Sequence, residues 1–113
     1  DYLDLEHYVP SNELTSIKQQ HPDLKIIRSY HNFNETPEDL PALLQSMQSS
    51  AVNYYKVVTK AQSAIDAIRL MVFIKQNQSV FGHALEKNMA YTRYLGPVLE
   101  CQFSYCKTRQ YTT

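Results

Sequence analysis

Glycine is nearly absent, with 2 in 113 residues. Tight glycine turns are therefore scarce, and neither a G-x-G-x-x-G nor a P-loop pattern exists to cradle a phosphate. Nucleotide binding through those motifs is excluded. An excess of charge is missing too: 11 Lys+Arg stand against 11 Asp+Glu, for a net charge of +0. A neutral chain has no electrostatic footprint for nucleic acid or for an anionic membrane surface. No apolar run approaches the roughly 20 residues that a membrane helix needs, and the N-terminus lacks the basic-then-apolar layout of a signal peptide. The chain reads as soluble and cytosolic, with no nucleic-acid and no membrane partner. Cysteine is limited to Cys101 and Cys106. Five positions apart on a predicted strand, they face opposite ways, which argues against a disulfide or shared metal ligation. His7, His21 and His83 have no spacing that fits a zinc site and read as structural. No repeat, low-complexity segment or linker divides residues 1–113, which read as a single domain.

What the chain does have is alternation. Extended apolar runs recur at residues 1–7, 24–30, 51–59, 78–84 and 98–106. Between the first four lie segments of helical period: residues 11–20 with Leu14 and Ile17, residues 37–48 with Leu40, Leu43, Leu44 and Met47, and residues 62–76 with Ile65, Ile68, Met71 and Val72. Strand and helix in turn, with short connections, predict parallel βα units. The T-P-E-D stretch at residues 36–39 predicts a helix start, with Thr36 as cap and Pro37 at the first helical position.

Parallel βα units gather their functional groups at the carboxyl ends of the strands. The run L-K-I-I-R-S-Y leads into His31, and the next run, A-V-N-Y-Y-K-V-V-T, carries Lys56. In the first run Asp4 and Glu6 alternate with Leu3 and Leu5 and so share a face. Acid, imidazole and amine converge on one mouth. A lysine between tyrosines and valines must find a partner, neutralise, or reach a wet cavity, because an ammonium taken out of water loses its hydration. Taken alone, a strand lysine more often snorkels to solvent, a histidine after a strand more often settles in a loop, and a strand-end glutamate is more often solvated. Together, in this order, they are better read as a set.

The segments D-Y-L-D-L-E, K-I-I-R-S-Y-H-N-F-N-E-T-P, Y-Y-K-V-V-T-K-A-Q-S-A-I-D-A-I-R-L-M and T-R-Y-L-G-P resemble, in order and spacing, successive stretches of type I 3-dehydroquinate dehydratase. The resemblance implies an α/β fold derived from the (β/α)8 TIM barrel, here a partial barrel of about five parallel βα units corresponding to its C-terminal half. It implies a lyase of the shikimate pathway that dehydrates 3-dehydroquinate to 3-dehydroshikimate, the third step towards aromatic amino acids, through a lysine Schiff base. No metal or organic cofactor is implied, and the family often forms homodimers or is fused to other enzymes of the pathway. Position by position, Lys56 matches the imine-forming lysine, His31 the proton-shuttling histidine, Glu6 the glutamate that orients it, and Arg93 the arginine that grips the substrate carboxylate. G-H-A-L-E-K-N at 82–88 departs from the family's usual Met-rich sequence, and a closing Ser/Ala-Pro-Gly-Gln loop is not found before C-K-T-R-Q-Y-T-T. A complete barrel of this type has about 250 residues, so the chain reads as a fragment.

The residue types suit that chemistry on their own terms. Converting a ketone to a protonated imine acidifies the neighbouring C–H, which requires an amine; burial among Tyr54, Val57 and Val58 would favour its neutral, attacking form. An imidazole takes and returns protons near neutral pH, and an arginine grips a carboxylate through two parallel N–H bonds. Two other readings remain: another Schiff-base barrel enzyme such as a class I aldolase, which has no reason to keep S-Y-H-x-F-x-x-T-P, and a non-catalytic remnant serving as an assembly module.

Overall fold

The computed structural model describes residues 1–85. The fifth predicted strand, both cysteines and Arg93 lie outside them. Four strands alternate with three helices in the order β1 (Tyr2–Glu6), α1 (Ser11–Gln20), β2 (Lys25–Asn32), α2 (Leu40–Met47), β3 (Tyr54–Thr59), α3 (Ala64–Gln76) and β4 (Val80–Ala84). All strand pairs are parallel, and spatial order follows chain order, β1-β2-β3-β4. The first four predicted strands and the three predicted helices are therefore present, in a partial α/β architecture.

Successive strand residues point to opposite faces, and the two faces differ. One is covered by helices: Tyr55, Val57, Val80 and Ala84 pack with Leu40, Leu44, Met47, Ala67, Leu70, Phe73 and Ile74, while Ile26 packs with Leu14 and Ala51. Burying a side chain such as Leu70 completely is worth about 1.5–3 kcal/mol. The opposite face carries a smaller apolar cluster of Ile27, Phe81 and Tyr54, and the polar residues Asp4, Glu6, Ser29, His31 and Lys56 share its parity.

Two local expectations are corrected. Helix α2 starts at Leu40, not at Pro37: Asp39 is its cap, accepting from the Ala42 N–H at 3.0 Å, and Pro41 occupies its first turn. Thr36 is engaged elsewhere. Its hydroxyl donates to the Lys60 carbonyl at 2.9 Å and meets the Thr59 hydroxyl at 2.9 Å, which ties the segment after β2 to the end of β3. In α3 the inward face is Ala67, Leu70, Phe73 and Ile74, whereas Ile65, Ile68 and Val72 are exposed, Ile65 at 68%. The apolar period was read correctly but in the wrong phase, because α3 is apolar on more than one side.

Arg28, on the helix-covered face of β2, is buried with no carboxylate partner among the described residues. Its guanidinium donates to the carbonyls of His7, Val9 and Met47 at 2.9–3.0 Å. It thereby fastens the segment after β1 and the end of α2 to the sheet.

The first turn of α3 has its own clasp. Ser63 caps it through the Asp66 N–H, and the Asp66 carboxylate accepts from the Gln62 N–H at 3.0 Å and from Arg69 at 3.1 Å. Arg69 also donates to the carbonyls of Thr36, Pro37 and Glu38. The Gln62 N–H, followed by the Arg69 guanidinium, holds the Asp66 carboxyl below its ordinary value of 3.8. Since the folded value lies below the unfolded one, this contribution is complete above the ordinary carboxylate range. It is lost as pH falls through and below the ordinary carboxylate range. Asp66→Asn is expected to lower stability to urea at neutral pH, with the deficit shrinking steadily on acidification; a deficit independent of pH would exclude the carboxylate as its source.

Candidate active site

The polar face is organised in rungs. Glu6, Ser29, Lys56 and Phe81 are register partners across the four strands. His31, Val58 and His83 form the next rung towards the carboxyl ends, and Asp4, Ile27 and Tyr54 the one before. Each position is two residues from the next along its strand, so all point the same way.

Three of the four predicted site residues are brought together. His31 Nδ1 lies 3.1 Å from Glu6 Oε2 and 3.2 Å from Oε1, so the carboxylate faces one of the two ring nitrogens. The His31 ring also stacks on Phe33, with centroids 6.0 Å apart and planes within 15°. A carboxylate on one nitrogen and an aromatic plane beside the ring fix its orientation. Lys56 stands one rung below His31 on the adjacent strand. Arg93, the fourth, falls outside the described residues.

The setting of Lys56 differs from the buried one expected. Its side chain is 24% exposed, Val57 points to the helix-covered side, and the Asp4 carboxylate lies 3.9 Å from its Nζ. Asp4 is in turn held by the hydroxyl of Ser29, a fully buried residue, which donates to its other oxygen. Parity along β1 places Asp4 on this face without assigning it a role, and the sequence motifs do not single out Ser29. The signal was available: Ser29 is two residues before His31 and therefore shares its face, between the strand of acids and the strand of the lysine. β1 thus supplies two acids with separate tasks, Glu6 for the imidazole and Asp4 for the amine.

The remaining histidines occupy different settings. His7 packs its ring against Tyr30 and Tyr8, with centroids 5.0 and 5.6 Å apart, and His21 is exposed at the end of α1. His83 is buried on the polar face of β4, next to Val58. Among the described residues, no group of three His, Cys, Asp or Glu side chains could hold a metal ion, and no helix is long and apolar enough to cross a membrane.

Chemically, the face offers an amine with a carboxylate partner, and an imidazole oriented by a second carboxylate. An amine that can become a cation beside a proton carrier suits imine chemistry on a carbonyl compound.

A sequence model of the family described as Type I 3-dehydroquinase matches residues 1–110. A 3-dehydroquinate dehydratase from Dehalococcoides mccartyi is 31% identical over 107 residues, covering 91% of this chain and 48% of that protein. The shikimate biosynthesis protein AroDE of Chlamydia muridarum is 35% identical over 107 residues, 92% of this chain but 22% of the longer protein. The crystal structure of the 3-dehydroquinate dehydratase from Aquifex aeolicus superposes with a TM-score of 0.74 at 24% identity, over 89% of this chain and 48% of that one. The structure of the 3-dehydroquinate dehydratase from Enterococcus faecalis superposes with a TM-score of 0.76 at 21% identity, over 98% of this chain and 52% of that one. The chain thus spans about half the length of the dehydratases it resembles.

Proposed function

The chain belongs to the type I 3-dehydroquinate dehydratase family, and on that premise we propose that it carries the lysine half of a site that dehydrates 3-dehydroquinate to 3-dehydroshikimate. The observation that supports this reading most is the pairing of His31 with Glu6 one rung from Lys56, on neighbouring parallel strands.

In this reading Lys56 attacks the substrate ketone. Its nitrogen forms the C–N bond, the carbonyl oxygen departs as water, and a protonated imine remains. The imine draws electrons from the neighbouring carbon, whose proton passes to His31; the C–H electrons then form the double bond as the β-hydroxyl leaves, taking that proton back from His31 to become water. His31, oriented by Glu6, is the proton carrier for that departure. A second water then hydrolyses the imine and frees Lys56. Arg93 binds the substrate carboxylate and fixes its register relative to the amine. The class I aldolase reading shares the lysine but leaves the His31 and Glu6 pair without a task. The chain works in the cytoplasm on a small-molecule substrate, needs no cofactor, and acts as a homodimer or within a longer shikimate-pathway chain, as the size of the AroDE relatives suggests.

The test is reductive trapping: incubation with 3-dehydroquinate and borohydride, followed by peptide mass spectrometry, is expected to place a stable adduct on Lys56. An adduct on exposed Lys60 instead, or on no lysine, would count against the reading. The two central roles separate in a variant. His31→Ala is expected to keep the trapped adduct, formed more slowly, while formation of 3-dehydroshikimate by the complete barrel falls by about a hundredfold or more for want of a proton carrier. Activity that survives this change with an unaltered pH profile would make His31 a loop residue.

A further inference from the structure

We propose that Asp4 is the counter-ion of the Lys56 nitrogen, held in place by Ser29, and that it balances the positive charge first of the ammonium and then of the protonated imine. The inference rests on the dehydratase reading for its second half and on geometry alone for its first.

The geometry divides the Asp4 carboxylate between two partners. Oδ1 accepts from the hydroxyl of fully buried Ser29, and Oδ2 faces Lys56 Nζ at 3.9 Å. One oxygen is anchored in the sheet, so the other is aimed. Of the other titratable groups on this face, Glu6 is turned to His31, the rings of Tyr2 and Tyr54 lie 6.3 Å apart towards the start of the strands, and His83 lies on β4 one rung above Lys56, beside Val58. Asp4 is thus the carboxylate within ion-pair distance of the amine among the described residues.

The chemistry gives this pair a use beyond structure. An ammonium and a ketone yield a protonated imine and one water: two of the three ammonium protons leave with the carbonyl oxygen, and the nitrogen keeps the third. The positive charge is the same before and after. A fixed carboxylate therefore needs no rearrangement as the bond forms, and it disfavours loss of the proton that makes the imine an electron sink. Asp4 is 45% exposed, so its effect on the free amine is screened and modest.

Acetylation of the 113-residue chain at neutral pH, with Lys56 quantified against Lys18 by mass spectrometry, reads the pair without any substrate. Lys18 is a suitable reference because its Nζ bonds the Leu24 carbonyl and the Asn53 amide oxygen, both neutral. Asp4→Asn is expected to raise the Lys56 rate about two- to fivefold relative to Lys18, and Ser29→Ala to do so by less. Raising salt from about 10 mM to about 1 M should raise the ratio in the unaltered chain as well. Trapping with 3-dehydroquinate is expected to move the opposite way, with a lower adduct yield in Asp4→Asn. A merely structural role would move both readouts together, and that result would overturn the proposal, as would a Lys56 to Lys18 ratio indifferent to salt. Should the variants fail to fold, as judged by circular dichroism, the salt series on the unaltered chain decides the pair. Failure of the unaltered chain to trap 3-dehydroquinate would instead count against the dehydratase reading, while the acetylation ratio continues to judge the ion pair.

Discussion

The Lys56→Ala variant is expected to yield no borohydride-trapped adduct with 3-dehydroquinate and, when tested in a full-length barrel containing this sequence, to lose about three orders of magnitude or more in turnover. The reason is the covalent route itself. Imine formation needs a primary amine on this face, and neither the Asp4 carboxylate beside Lys56 nor the His31 and Glu6 pair one rung away can replace it. General acid and base groups left in place would still act, but on an unactivated ketone. Loss of the fold is not the expected cause, since Lys56 is a quarter exposed and outside the apolar clusters. Circular dichroism of the variant should match that of the unaltered chain. Turnover within about tenfold of the parent would remove Lys56 from the mechanism.

The Gly82→Ala variant is expected to show the largest loss of stability of any single methyl addition in the sheet. Gly82 has φ +156°, a conformation that side chains rarely adopt, and it pairs with Val57 on β3. A Cβ built there falls 1.8 Å from the Val57 carbonyl oxygen and 2.7 Å from its carbonyl carbon. Both are backbone atoms of a central strand, so no side chain can swing aside. Relief requires β3 and β4 to separate, which breaks ladder hydrogen bonds around the rung that holds Lys56 and Phe81. The cost is expected to exceed about 4 kcal/mol, lowering the thermal midpoint by about 15 °C or more in a chain of this size. A midpoint within about 3 °C of the parent would mean that the backbone at Gly82 accepts a side chain after all.

These effects show which parts of the molecule could be read without coordinates. Strands and helices were legible because their periods, 2 and 3.6, are written in the spacing of apolar residues. The meeting of Glu6, His31 and Lys56 was legible for a related reason: parity along a strand fixes the face, and parallel neighbours share a mouth. The start of α2 was misread because Thr36 is as good a cap as Asp39 by type. Only the approach of Thr59 and the Lys60 carbonyl shows that its hydroxyl is already engaged. The buried side of α3 was misread because Ile65, Ile68 and Val72 are as apolar as Leu70, Phe73 and Ile74; the helix's rotation is decided by what it packs on. The spacing of Ser29 to His31 gives its face, but its partner, an Asp4 carboxylate oxygen on the next strand that accepts a hydrogen bond from its hydroxyl, is visible only in the structure.

The unbroken strand order also makes β1 a ruler. Asp4 and Glu6 are two residues apart, about 6.6 Å along a parallel strand, and that interval spaces the amine's acid from the imidazole's. Side chains here can be exchanged one at a time, but a single residue inserted or deleted between positions 4 and 6 would turn one acid towards the helices while leaving composition almost unchanged. Insertions in the connections after β1 or β2 carry no such consequence. Tolerance to length changes should therefore be low within the strands and higher in the parts of the connections that Arg28, Phe33 and Thr36 do not hold, and an insertion scan would trace the polar face without reference to any substrate.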